Sequence, residues 1–124
     1  MKRAETRAAT RRELFCDTTR GGFFDCNFSA GKRSTYEYAT TLYPLWTGWP
    51  LASRRMQPRN INICELNGGI VMSPYETEVQ WDYPYKWAPL QLIAVEGLRN
   101  YKLDADEDRI SVKCLSTVMG EFSA

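Results

Sequence analysis

The chain has 124 residues and a formal net charge of +1, from 16 basic and 15 acidic side chains. Hydrophobic residues at 44% and charged residues at 25% are typical of a globular domain of ordinary size. The aromatic content of 13% provides too much apolar surface for a disordered chain. The balanced charge excludes a general electrostatic attraction, so we expect no nucleic-acid or membrane partner.

The sequence has no histidine, which excludes Ser/His and Cys/His nucleophilic catalysis and removes the commonest zinc ligand. The four cysteines contain no C-x-x-C pair, so we expect no metal site, no redox motif and no cofactor. The polar residues 1–14 lack the apolar core of a secretory signal, and no apolar run approaches the ~18 residues of a membrane helix. We therefore expect a cytoplasmic chain whose cysteines remain thiols.

The first predicted element is a solvated amphipathic helix over residues 2–15. Three of its residues are expected to face the core: Ala4, Ala8 and Phe15. A turn over 17–22 then precedes a short extended stretch over 23–28.

A second helix is predicted over residues 35–46, because apolar residues recur there at helical spacing. They are Tyr38, Leu42, Leu45 and Trp46. Gly48 and Pro50 are expected to end this helix. The next stretch, 51–56, could begin another helix, which Pro58 would break.

Residues 70–75 look extended, and an aromatic loop follows over 80–87. Pro89 suits the first turn of a third helix, which apolar spacing extends to residue 101. Asp104 and Glu107 are spaced as a capping pair for a last helix over 105–121. Its apolar face would contain Ile110, Cys114 or Leu115, Val118 and Phe122.

This pattern predicts a mainly α chain of about four helices joined by long loops that carry aromatic residues. In such an architecture, loops at helix ends are where a ligand site is usually built. The aromatic loop is therefore the first place to look for chemistry.

Two kinds of side chain that bind sugars occur together in this loop. Aromatic rings pack against the flat C–H faces of a sugar, and acids or amides hydrogen-bond its hydroxyl groups. The candidates of both kinds are Gln80, Trp81, Asp82 and Trp87. From the residues alone, two alternatives stay open: packing of the tryptophans within the loop, and a capping role for Asp82.

The same loop resembles a family signature. QWDYP at 80–84, followed by WAPLQ at 87–91, is similar to the second signature of the α,α-trehalases. Glu78 and Lys86 depart from the family, which usually has glycine at both positions, where a positive φ or a close backbone approach is possible. Similar flanking residues, which extend the resemblance over nearly the whole chain, lie at 43–48, 68–69, 76–77, 92–98 and 106–115.

The resemblance implies that residues 1–124 form a single partial domain, part of an (α/α) toroid of six helical hairpins around a central pocket. It also implies inverting hydrolysis of α,α-trehalose to two glucose molecules. In that reaction a carboxylic acid protonates the glycosidic oxygen while a carboxylate, roughly 6.5–9.5 Å away, activates water.

By the same resemblance, the acid lies in a motif upstream of the region that residue 1 matches, and the base lies in a Glu-Lys-Tyr motif beyond the last helix. We therefore expect no catalytic residue in this chain, and substrate binding by the four loop residues named above. The chain would then be a piece of a trehalase completed by a complementing chain. Alternatively, it is a non-catalytic remnant that binds glucose-like sugars weakly, or a truncated product without function. Helices at the edges of a partial toroid would expose apolar faces.

Overall fold

The computed structural model of this protein describes residues 2–49 and 61–122. Its helices, in chain order, are α1 (Lys2–Phe15), a 3₁₀ helix (Ala39–Leu42), α2 (Tyr43–Trp46), α3 (Ile61–Cys64), α4 (Ala88–Asn100) and α5 (Asp104–Phe122). The strands form three antiparallel pairs: β1 (Cys16–Asp17) with β2 (Gly22–Phe23), β3 (Cys26–Asn27) with β4 (Lys32–Arg33), and β5 (Glu65–Leu66) with β6 (Gly69–Ile70). The described part of the chain is thus mainly helical, as the sequence predicts.

Helix α1 has the predicted bounds but lacks the predicted buried face, since none of its described residues is buried. The residues expected to face the core are at most half-buried: Ala4, Ala8 and Phe15. Basic residues at positions 2, 3, 7, 11 and 12 are distributed all around the helix, so no continuous apolar stripe exists. The C-terminal end of α1 is held instead by Arg33, whose guanidinium donates to the carbonyls of Glu13 (2.6 Å) and Leu14 (2.9 Å).

The second predicted helix begins later than expected. Tyr38 has an extended backbone (φ −128°, ψ 152°), so the helical conformation begins at Ala39 and not at residue 35. The Tyr36 ring packs on those of Tyr38 and Tyr75, with centroids 4.3 and 4.5 Å apart. Residues two apart share one side of an extended chain but lie on different sides of a helix. The contact between the first two tyrosines therefore requires the extended backbone.

Helix α4 is the centre of the core. Its Leu90, Ala94 and Leu98, spaced by four residues, are all buried. A Cβ on Gly97 would lie 3.0 Å from Leu45 Cβ, so glycine allows α4 to pack closely on α2. The other members of the core cluster are Ala39, Leu42, Leu45, Ile61, Cys64, Ile70, Val71 and Ile110.

A buried carboxylate joins β5 to α5. The side chain of Glu65 is only 5% exposed, and its oxygens accept hydrogen bonds from Arg109 Nε (2.8 Å) and Lys113 Nζ (2.7 Å). Arg109 also donates to Asp106 at 2.6 Å. The hydrogen bond from Arg109 is the main reason why the pKa of Glu65 is lowered, against the opposing effect of burial.

Helix α5 begins one residue before its predicted start, and its N-terminal half joins the core through Ile110. Farther along, Val112, Leu115 and Met119 are between 60% and 67% exposed, and Leu92 on α4 is 62% exposed. Of the predicted apolar face, Cys114 is half-buried, Val118 is exposed, and nothing is described for the side chain of Phe122. The exposed apolar side chains of residues 92, 112, 115 and 119, here called the apolar edge, are the kind of exposure expected of a partial toroid.

The four cysteines are thiols, and burial raises the pKa of Cys64 to about 12. No helix in the described ranges combines the length and the apolar character needed to cross a membrane. The possible helix at 51–56 and the break at Pro58 lie outside the described residues.

We predict that Glu65→Gln destabilises the fold by about 1–3 kcal/mol at neutral pH, because Arg109 and Lys113 lose their carboxylate partner. The folded pKa of Glu65 lies below its unfolded value. Its contribution is therefore complete above the unfolded pKa and is lost as the pH falls through the folded pKa. As the pH falls below the unfolded pKa of a glutamate, urea unfolding should show wild-type stability dropping more steeply than that of the variant.

The matched control is Glu96→Gln. Glu96 pairs with Arg99 on the surface, where the two side chains are 41% and 57% exposed, so little change in stability is expected. Parallel stability curves for wild type and Glu65→Gln over this pH range would contradict the prediction.

Candidate functional site

A cavity of about 520 Å³ lies beside the aromatic loop. Four separate parts of the chain form its wall. The aromatic loop and the residues just before it contribute Thr77, Val79, Trp81 and Asp82. The rest of the wall comes from three places earlier in the chain: Asp25, the stretch with Tyr36, Tyr38 and Thr40, and Met72. The cavity therefore combines carboxylates, hydroxyls and aromatic rings, which are the groups that bind a polyhydroxylated ring.

Asp82 is buried, with only 3% of the residue exposed, and its Oδ2 accepts a hydrogen bond from the Thr77 hydroxyl. The backbone holds it from both sides, because its N–H donates to Val79 O (3.1 Å) and its C=O accepts from Tyr85 N (3.0 Å). A buried carboxylate is stable only when hydrogen-bonded. A single hydroxyl donor leaves Oδ1 able to accept a further hydrogen bond, and ligand hydroxyls are suitable donors.

Trp81 and Trp87 are stacked, with ring centroids 4.3 Å apart and planes inclined by 11°. Trp81 lines the cavity and is 46% exposed, whereas Trp87 is half-buried. One face of the Trp81 indole is covered by Trp87, so only the other face is available to a ligand. The Trp87 ring thus supports the Trp81 ring. The sequence had indicated both tryptophans as candidate sugar-binding residues.

Only two of the four predicted binding residues therefore line the cavity. Trp81 and Asp82 meet at the cavity, Trp87 lies against Trp81, and Gln80 is exposed on the same loop. Among the described residues, neither Gln80 nor Trp87 belongs to the cavity wall.

The two departures from the family pattern both have a visible structural effect. Glu78 has φ of 63°, a left-handed conformation that glycine adopts without strain and glutamate adopts at a cost. This is the conformation that the usual glycine suggests. The Lys86 side chain extends to Gly68, where an added Cβ would lie 2.8 Å from its Nζ. Lys86 and Glu78 do not form an ion pair within the described part of the chain.

Gln91 fixes both ends of the segment that carries the site. Its Oε1 accepts from Ile70 N (2.7 Å) and its Nε2 donates to Ile70 O (2.5 Å), so one side chain satisfies the whole backbone of that residue. Gly69 must be glycine here, because its φ is 106° and a Cβ would lie 2.5 Å from Gln91 Oε1. The β5–β6 hairpin and the first turns of α4 are thereby joined, and residues 71–87 run between them.

The sequence pattern does not indicate Asp25, Tyr36 or Tyr38 as site residues, because they are far from the signature in the chain. The one available signal was the pair of tyrosines two residues apart, which favours an extended segment. In the structure, the Tyr36 hydroxyl lies 3.4 Å from Ser73 Oγ. Burial raises the pKa of Tyr38, with smaller contributions from Tyr36, Asp82 and Asp25.

Acidic and cysteine side chains do not gather into a possible metal site within the described ranges. The side chains that line the cavity offer hydrogen bonding and ring stacking to a ligand. A mainly helical unit with a loop-borne carboxylate and indole beside a cleft has the features of a fragment of a helical glycoside hydrolase.

The sequence model of the Trehalase family matches residues 1–124, and the chain belongs to this family. It is 33% identical over 132 aligned residues to the cytosolic neutral trehalase of Beauveria bassiana, covering 98% of this chain and 18% of that protein. It is 33% identical over 117 residues to the cytosolic neutral trehalase of Saccharomyces cerevisiae, covering 86% of this chain and 16% of that protein.

The structure agrees with this assignment. Neutral trehalase Nth1 from Saccharomyces cerevisiae superposes with a TM-score of 0.80 and 31% sequence identity, over 92% of this chain and 23% of that chain. The fold is thus part of the (α/α) toroid of the trehalases, as the resemblance implied. The chain spans less than a fifth of the length of these two curated relatives.

We predict that Gln91→Met destabilises the fold by about 1–3 kcal/mol, because the buried N–H and C=O of Ile70 lose their partner while the side-chain volume changes little. The control, Gln80→Met, makes the same chemical change at an exposed position and should alter stability by less than about 0.5 kcal/mol. Chemical denaturation of both variants measures the difference. Equal stabilities would mean that the Gln91 amide does not hold the loop.

Proposed function

We propose that this chain forms part of the sugar-binding wall of a trehalase, an inverting glycoside hydrolase that cleaves α,α-trehalose into two glucose molecules. The observation that carries the proposal is the buried Asp82 beside the open face of Trp81, on a cavity of about 520 Å³ within a family signature. The named relatives are cytosolic neutral trehalases, so we place this function in the cytosol.

In this proposal the open face of Trp81 packs against the C–H face of one sugar ring. Asp82 Oδ1 accepts a hydroxyl hydrogen bond, while Thr77 keeps Oδ2 in position. Because Trp87 is stacked on its other face, the Trp81 side chain is already restricted in motion before a ligand binds. Less side-chain entropy is therefore lost on binding. Gln80, exposed on the same loop, reaches the sugar from the rim of the cavity.

We further propose that the general acid and the general base are supplied by trehalase sequence other than these 124 residues. The chain corresponds to less than a fifth of the length of its curated relatives. In this proposal it therefore contains only part of the active site and does not work as an enzyme alone. The complementing part of the toroid would pack on the apolar edge. The reaction needs only carboxyl groups and water, so no cofactor enters it.

We predict that the chain binds trehalose measurably in calorimetric titrations and that Trp81→Ala weakens this binding about tenfold, because the aromatic platform is lost. The matched control is Trp46→Ala, since Trp46 is 47% exposed, close to the 46% of Trp81, and lies on α2 away from the cavity. Equal weakening by both substitutions, or no binding by the wild-type chain, would contradict the proposed wall.

The catalytic part of the proposal predicts that the chain alone releases no glucose from trehalose, and that added trehalase segments carrying the missing acid and base restore hydrolysis. Glucose release is the measurement, with the complementing segments alone as the control. Rapid hydrolysis by this chain unaided, lost in Asp82→Asn, would show that its own carboxylates perform the reaction.

A further inference from the structure

The cavity has a second carboxylate, which lies outside the signature loop. Asp25 follows β2, directly after the buried Phe24, and lines the same cavity as Asp82. The Tyr38 side chain lines this cavity together with both acids. Burial raises the pKa of Tyr38, so its hydroxyl stays protonated at neutral pH and can donate a hydrogen bond to a ligand.

The backbone, and no side-chain bond, holds Asp25 in place. Its C=O accepts from Ser34 N at 2.6 Å, and the N–H of the preceding Phe24 donates to Phe15 O at 2.8 Å. The Arg20 guanidinium lies 3.3 Å from the Phe24 ring centroid and fixes that ring from the outside. Within residues 2–49 and 61–122, no hydrogen-bond or ion-pair partner occupies the Asp25 carboxylate. Asp25 is exposed, so its carboxylate is available to accept hydrogen bonds from a ligand at the cavity.

Asp25 also lies where two cavities adjoin. Together with Thr40 it lines a second cavity of about 280 Å³. Half of the residues that line the second cavity are aromatic, among them Phe23, Phe24 and Trp49. A ligand that fills the first cavity and extends toward the second must pass the Asp25 carboxylate.

We propose that Asp25 is a specificity-determining residue of the sugar cleft, accepting hydrogen bonds from ring hydroxyls other than those that Asp82 binds. This inference rests on the proposed function. The cleft then holds a pyranose ring by two carboxylates from different parts of the chain, with the Tyr38 hydroxyl as a further hydrogen-bonding group of the same wall. A ring lacking the hydroxyls that either carboxylate binds loses one of these charge-assisted bonds and is discriminated against.

The test compares Asp25→Asn with Asp108→Asn in the whole 124-residue chain. Asp108 is exposed on α5 and outside both cavities, so it is a matched control for the same chemical change. Asp25→Asn should weaken trehalose binding in calorimetric titrations about tenfold, because a charge-assisted bond becomes a neutral one. Asp108→Asn should bind like wild type. Since the contacts of Asp25 with the fold are made by its backbone, both variants should unfold at the wild-type denaturant concentration.

A second readout separates recognition from a structural role. Among the monodeoxy derivatives of glucose, at least one should bind the wild-type chain about tenfold more weakly than glucose and bind Asp25→Asn with no such loss. A structural effect would weaken every sugar alike. If Asp25→Asn fails to fold, Asp25→Ser is titrated with the same sugars.

The outcomes distinguish the two proposals. Trehalose binding that Trp81→Ala weakens and Asp25→Asn leaves unchanged would overturn the role of Asp25 and leave the proposed function intact. If Asp25→Asn weakened the binding of all the deoxy sugars equally, the role of Asp25 would be overturned as well. Failure of the wild-type chain to bind trehalose would overturn both.

Discussion

The site depends on one side chain, the amide of Gln91, which pairs with both backbone groups of Ile70. The two hydrogen bonds are those that a neighbouring β-strand would make to Ile70, but here they come from a side chain of α4. They therefore hold the β5–β6 hairpin and α4 at a fixed separation. Residues 71–87 connect the hairpin to α4, and Trp81 and Asp82 lie on this connecting segment. The requirement for glycine at 69 follows directly, because any Cβ there would displace the amide.

The sequence was sufficient to locate the long helices, since capping residues, Pro89 and regular apolar spacing act locally. It failed where a contact between distant parts of the chain decides the conformation. Tyr38 is extended and its ring packs on that of Tyr36, which also packs on Tyr75; a helical pattern over 35–46 does not reveal these contacts. Likewise α1 is helical by local preference, but no apolar stripe directs one side of it to the core.

The candidate site was half predictable for the same reason. Its signature wall is one continuous segment, so Trp81 and Asp82 could be named from their neighbours alone. The fold brings the rest of the cavity wall to this segment. Asp25 is more than fifty positions away from the signature, and its spacing in the sequence does not relate it to the signature residues. The sequence left packing of the tryptophans within the loop as an open alternative, because a tryptophan that supports another has the same sequence signal as one that faces a ligand, and the structure shows Trp87 stacked on Trp81.

The stacked indoles have an optical consequence. At a centroid separation of 4.3 Å their electronic transitions couple, so the pair absorbs and rotates polarised light differently from Trp46 and Trp49 elsewhere in the chain. The cleft therefore contains its own chromophore, formed only when residues 81 and 87 are in register. Any event that displaces the loop, whether a sugar, a neighbouring hairpin or partial unfolding, would be visible in circular dichroism without an added dye.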